Sequence, residues 1–137
     1  MNLTEESPRS PREKIADLVH IPRMIDKARA DQQNTLGEYI YPCPMDKMML
    51  EFLNVAPETF QEKACADTEE VLSAWIQSQC ENRSPEDIDA ANNKILKAQP
   101  DNPEKWETFH EIRNRVDPSR TDITTWADLI DLEEGRL

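Results

Sequence analysis

At 137 residues, 37% apolar and 32% charged, the chain is long enough to bury one sizeable core. Its two glycines exclude the phosphate-cradling loops that need positive φ or a close backbone approach. A net charge of −12, from 16 Lys and Arg against 28 Asp and Glu, opposes binding to nucleic acid or anionic lipid through the general surface.

Residues 1–8 are polar and expected to be flexible, with 9–137 forming a single helical domain. The opening MNLTEESPRSPREK lacks the apolar core of a signal peptide, and no run is long enough to span a bilayer, so a cytoplasmic location is expected. Ser10-Pro11-Arg12-Glu13 reads as a capping box, predicting a helix from Pro11 with Ile15, Leu18 and Val19 on one face. Pro22 cannot donate an N–H to Leu18 and biases Ile21 away from the α region, so that helix should break near His20 and Ile21.

A second helix is predicted with Pro22 in its first turn, its apolar line continuing through Ile21, Ile25 and Ala28. On its polar side His20, Arg23 and Lys27 follow at i, i+3 and i+7 beside a helix N-terminus whose first N–H groups lack intrahelical acceptors. That combination can hold an anion. Asp26 and Arg29 form a neighbouring i, i+3 pair, in which Arg29 either joins the cationic line or bridges to Asp26. The competing reading is that these cations pair with the protein's own carboxylates. Residues 1–35 hold six acids and six bases, so the remainder carries all of the −12.

The link DQQNTLGEYIYPCP contains Gly37, Pro42 and Pro44 and is expected to be a loop packed over the core. Tyr39 and Tyr41 are candidates to line a pocket beside the first helices. Pro44 opens a helix with a stripe of Met45, Met48, Met49, Phe52 and Leu53, which reads as core or as an adaptable partner surface. Pro57 starts the next, before Phe60 and Ala64. Asp67 with Glu70 reads as the cap of a further helix carrying Val71, Leu72, Trp75, Ile76 and Cys80.

Ser84-Pro85 opens a helix with Ile88, Ala91, Ile95 and Ala98 inward, and Asn102-Pro103 another with Trp106, Phe109, Ile112 or Arg113, and Val116. Thr124 or Thr125 caps a last short helix in which Trp126, Leu129 and Ile130 dock, ended by Gly135. Cys43, Cys65 and Cys80 show no metal-like spacing and are expected to be free, buried thiols in a reducing compartment. Two histidines without a third clustered ligand predict no metal, and nothing points to a cofactor.

The stretch HIPRMIDKARA from His20 to Ala30, with RTDITTWADLIDLEEGR from Arg120 to Arg136, resembles a family of small bacterial proteins known only as a domain of unknown function. Members share an Arg-x-Ile-Asp-Lys-x-Arg stretch and a closing Thr-Trp-x-Asp-Leu segment. The resemblance spans both ends of the chain and implies a small all-helical protein. It implies no activity, cofactor or catalytic residue.

The expected fold is all-α: one irregular domain of seven or eight short helices, many started by proline, without a regular sheet. Three functions are compatible with the residues. The first is a non-enzymatic binding or accessory protein that takes a small anion or an acidic partner segment through Arg23 and Lys27, with His20 and Arg29 helping. The second is an enzyme acting on an acidic metabolite with His20 or Asp26 as base. The third is an acidic surface that docks a basic partner. The residues specify neither the ligand nor the oligomeric state.

Overall fold

Proline decides where most of the helices begin. In the computed structural model, which describes all 137 residues, α1 (Ile21–Gln32) starts one residue before Pro22, and α2 (Pro44–Leu53), α3 (Pro57–Ala66), α5 (Pro85–Leu96) and α6 (Pro103–Val116) start on prolines. At the first helical position proline loses no hydrogen bond and arrives with a helical φ. The other two, α4 (Glu69–Gln79) and α7 (Trp126–Glu133), are capped instead by the preceding Thr68 and Thr125, whose hydroxyls accept from the N–H groups of Val71 and Asp128. Thr68, rather than Asp67, is therefore the cap of α4. The architecture is the expected all-α one, with seven helices and one minimal ribbon.

That ribbon replaces the helix expected from Pro11. The local capping bonds do form, the Ser10 N–H donating to Glu13 Oε2 at 3.1 Å and the Arg12 N–H to the Ser10 hydroxyl at 3.1 Å. No helix propagates from them. Instead β1 (Lys14–Ile15) and β2 (Leu18–Val19) pair antiparallel around Ala16 and Asp17, both at positive φ (54° and 64°). Two consecutive residues at positive φ match the twist of a tight hairpin. The hairpin buries Leu18 and Val19 completely, and Asn92 of α5 secures it: its Oδ1 accepts from the Val19 N–H and its Nδ2 donates to the Asp17 carbonyl, each at 2.9 Å.

The chain divides into two units, Met1–Ile95 and Leu96–Leu137. In the first, α1 is the central element. Ile21, Met24, Ile25 and Ala28 are wholly buried, with Met49 from α2, Phe60 and Ala64 from α3, and Leu72 and Ile76 from α4 completing the core. Each large aliphatic side chain so buried contributes about 1.5–3 kcal/mol. Residues 1–8, expected to be flexible, carry an anchor: Leu3 is buried and its N–H donates to the Thr35 carbonyl at 2.8 Å. Gly37 makes room for that contact, since a Cβ there would lie 2.9 Å from the Leu3 carbonyl oxygen.

In the second unit Phe109 of α6 packs with Ile123, Leu129 and Leu132, flanked by Trp106, Ile112 and Trp126. Trp106 and Trp126 meet Phe109 edge-on, with centroids 5.4 and 5.2 Å away. Val116, expected inward on α6, is 45% exposed, and in the first unit Val71 of α4 is 51% exposed. The three cysteines are half-buried free thiols rather than fully buried ones. No helix is long and apolar enough to cross a membrane.

Candidate functional site

The break before α1 puts His20 in the left-handed region, φ 74° and ψ −20°, with its imidazole fully buried. A non-glycine residue there is strained by roughly 1–2 kcal/mol. The surroundings hold it in place: the His20 N–H donates to the Glu13 carbonyl at 3.1 Å and its carbonyl accepts from Met24 N–H at 3.0 Å, opening α1.

Facing His20 is Asp46, in the first turn of α2 and itself fully buried. Its carboxylate accepts three hydrogen bonds: His20 Nε2 lies 2.7 Å from Oδ1, Lys27 Nζ 2.7 Å from Oδ2, and the Cys43 N–H donates to Oδ2 at 2.9 Å. Burial alone would push the Asp46 pKa up. The bond to His20 and the Lys27 charge outweigh it and hold the group at about 2. Asp46 is therefore an anion at neutral pH.

An ionised Asp46 is acceptor-only, so His20 Nε2 carries the proton and donates. Burial, reinforced by the charges of Lys27 and Arg23, lowers the His20 pKa against the opposing pull of Asp46. The ring is consequently neutral, with its lone pair on Nδ1. That nitrogen is buried and has no hydrogen-bond partner, the sole such side-chain atom in the structure. Buried polar atoms are almost always paired, so an orphan beside a strained backbone marks a candidate site.

Lys27 lies one helical turn beyond Arg23, is buried, and bridges Asp46 to the Cys43 thiol, its Nζ donating to Sγ at 3.2 Å. Burial, then the Asp46 charge, raises the Cys43 pKa, keeping the thiol protonated. Arg23 is also buried; it donates to the Arg9 carbonyl at 3.1 Å, and its guanidinium carbon sits 5.4 Å from the centre of the Tyr39 ring. Tyr39 in turn donates to the Ser7 hydroxyl at 3.3 Å.

The remaining predicted residues are positioned elsewhere. Asp26 pairs with Arg9 rather than with Arg29: Arg9 donates to it through its backbone N–H at 2.9 Å and its guanidinium at 3.0 and 3.1 Å, and also pairs with Glu69. Arg29 donates instead to the carbonyls of Ala64 and Asp67, at 2.7 and 3.0 Å, closing the C-terminus of α3. Tyr41 donates to the Pro57 carbonyl at 2.7 Å, and burial followed by the charge of Asp46 raises the pKa of its phenol. The structure thus groups His20, Arg23 and Lys27, with Tyr39 over Arg23, and sets Asp26 and Arg29 to structural bonds.

Sequence reasoning missed Asp46 and Cys43. A signal was there: Cys43-Pro44-Met45-Asp46 has capping-box spacing with cysteine in the serine position, and both bonds of that box form. Donor atoms of His20, Cys43 and Asp46 lie within 4.8 Å of one another, a set of the kind that binds soft divalent metals. Lys27 Nζ already touches two of the three donors. The Asp46 carboxylate at the centre of this set is thus charge-balanced by a protein cation.

The family described as a domain of unknown function, DUF5069, matches residues 5–136. The chain belongs to that family. No curated protein matches it significantly. The DUF5069 match covers every element from the hairpin to α7, so the His20 cluster lies wholly inside the family's domain.

Proposed function

We propose that this DUF5069 chain is a non-enzymatic binding protein for a small organic acid, taken at the N-terminal end of α1. The carrying observation is the unpartnered, buried Nδ1 of His20, whose other nitrogen is pinned by Asp46. Such a lone pair accepts from an O–H or N–H of a ligand. The charge of Arg23, which acts on the imidazole, and the positive end of α1 favour an anionic group beside it. The ligand therefore carries a hydrogen-bond donor close to a carboxylate, as 2-hydroxy and 2-amino acids do. Lys27 is a support: it keeps Asp46 charged and so fixes the tautomer.

The test is calorimetric titration with glycolate, glycine and acetate. Glycolate or glycine should bind more tightly than acetate, which lacks the donor. Arg23→Gln and His20→Gln should each weaken that binding about tenfold or more; glutamine at position 20 keeps a donor for Asp46 and removes Nδ1. Equal binding of all three acids, unaltered in folded variants, would overturn the reading.

A second reading rests on the His20–Asp46 pairing, because a carboxylate that fixes a histidine tautomer also orients a general base. Nδ1 would then take a proton from an acidic metabolite. The partner of the base is Asp46, since Asp26 is engaged by Arg9. Exchange of the 2-proton of a bound acid in D2O, lost in His20→Gln, would favour this reading. Three free thiols fit either function in a reducing compartment.

A further inference from the structure

Away from His20, α2 and α5 border a cavity of about 250 Å³ whose floor is apolar, formed by Met49, Phe52 and Ile95. Its mouth carries Arg83, Lys94 and Glu51. Neither cation is engaged by a carboxylate, although the chain carries 28 acids. For Lys94 the cause is visible in α5: the residues three and four away on either side are Ala90, Ala91, Lys97 and Ala98, so no helical ion pair is available.

Arg83 is held at the rim by Phe52. Its guanidinium carbon lies 4.4 Å from the centre of the ring, and Nη2 donates to the Phe52 carbonyl at 2.7 Å. That single bond leaves the outer donors of the fork for an oxygen anion, in an orientation already set. With Glu51 beside the two cations, the mouth has a net charge of +1, which matches a monoanion. The cavity is smaller than the roughly 300–1,000 Å³ of clefts that take drug-sized ligands. The methionines, unbranched and adaptable, fit an alkyl chain better than a rigid ring.

We propose that this cleft binds a short aliphatic carboxylate, with its chain over Met49 and Phe52 and its head group between Arg83 and Lys94. The site is independent of the His20 site and of the function proposed for it. The test is NMR of protein labelled at the methionine methyls, titrated with octanoate, 1-octanol and octylammonium. Octanoate should move the Met48 and Met49 signals and leave that of Met24, buried in the α1 core, in place. The doubly substituted Arg83→Gln/Lys94→Gln protein, altered at exposed positions only, should bind octanoate about tenfold more weakly or worse. Octanol or octylammonium moving the same methyls with equal or greater affinity would overturn the proposal, as would octanoate moving none.

Discussion

His20 Nε2 and Asp46 Oδ1 meet at 2.7 Å between two fully buried side chains, joining the residue before α1 to the first turn of α2 across 26 positions of sequence. The bond assigns the imidazole proton, and with it the location of the lone pair. Lys27, on the other carboxylate oxygen, balances the charge that makes the assignment firm.

Asp46→Asn should be among the most damaging single substitutions, because it leaves the Lys27 ammonium buried beside a neutral amide. A loss of about 3–5 kcal/mol in urea unfolding is expected. Lys27→Met added to it removes the stranded charge, so the double variant should be less destabilised than the sum of the two single changes. Additive losses would show that the two groups do not interact.

Stability should depend on pH through both members of the pair. The folded-state pKa of His20 lies below its ordinary 6.5, so the unfolded chain takes up the proton first. Its contribution is complete above that value and is lost as pH falls below it. Asp46, lowered from 3.8 to about 2, contributes about 2 kcal/mol that is lost as pH falls between those values. Surface carboxylates titrate alike in all variants, so the difference curve between wild type and His20→Gln isolates the histidine. Between pH 6.5 and 4 the wild type should lose more stability than the variant.

Ala16 occupies the hairpin turn at φ 54°, a conformation that costs alanine and not glycine. Ala16→Gly should therefore stabilise the protein by about 0.5–1 kcal/mol, visible as a higher midpoint of thermal unfolding. A lower midpoint would mean that the turn is not strained at this position.

Arg9 ties the segment before the hairpin to α1 and α4 through Asp26 and Glu69. Asp26→Asn should weaken that clasp by about 1.5–3 kcal/mol, the range for a hydrogen bond to a charged group. The effect should appear as faster amide exchange at Arg9, whose N–H donates to Asp26 Oδ2 at 2.9 Å. Unchanged exchange there would show that the clasp does not order the segment.

The helix starts were legible because proline acts within one turn, where sequence neighbours are also spatial neighbours. The hairpin was not: Ala16-Asp17 lacks the Asn-Gly signature of a positive-φ turn, and the Ser10–Glu13 box satisfied its local bonds without a helix following. At the site, the cationic line of His20, Arg23 and Lys27 is readable from helical spacing. Its counterion is not, because Asp46 reaches Lys27 from a different helix, 19 residues along the chain. Spacing alone suggests an Asp26–Arg29 pair; longer-range partners claim each of them instead, the carbonyls ending α3 accepting from Arg29 and the guanidinium of Arg9 donating to Asp26.

The most direct test is a nitrogen-15 spectrum of the His20 imidazole near neutral pH, with and without glycolate. Nε2 should carry the proton, Nδ1 should resonate as a bare basic nitrogen, and glycolate should shift Nδ1 while Nε2 stays bonded to Asp46. A proton on Nδ1 in the free protein, or an Nδ1 signal that glycolate and glycine leave unmoved, would contradict the account.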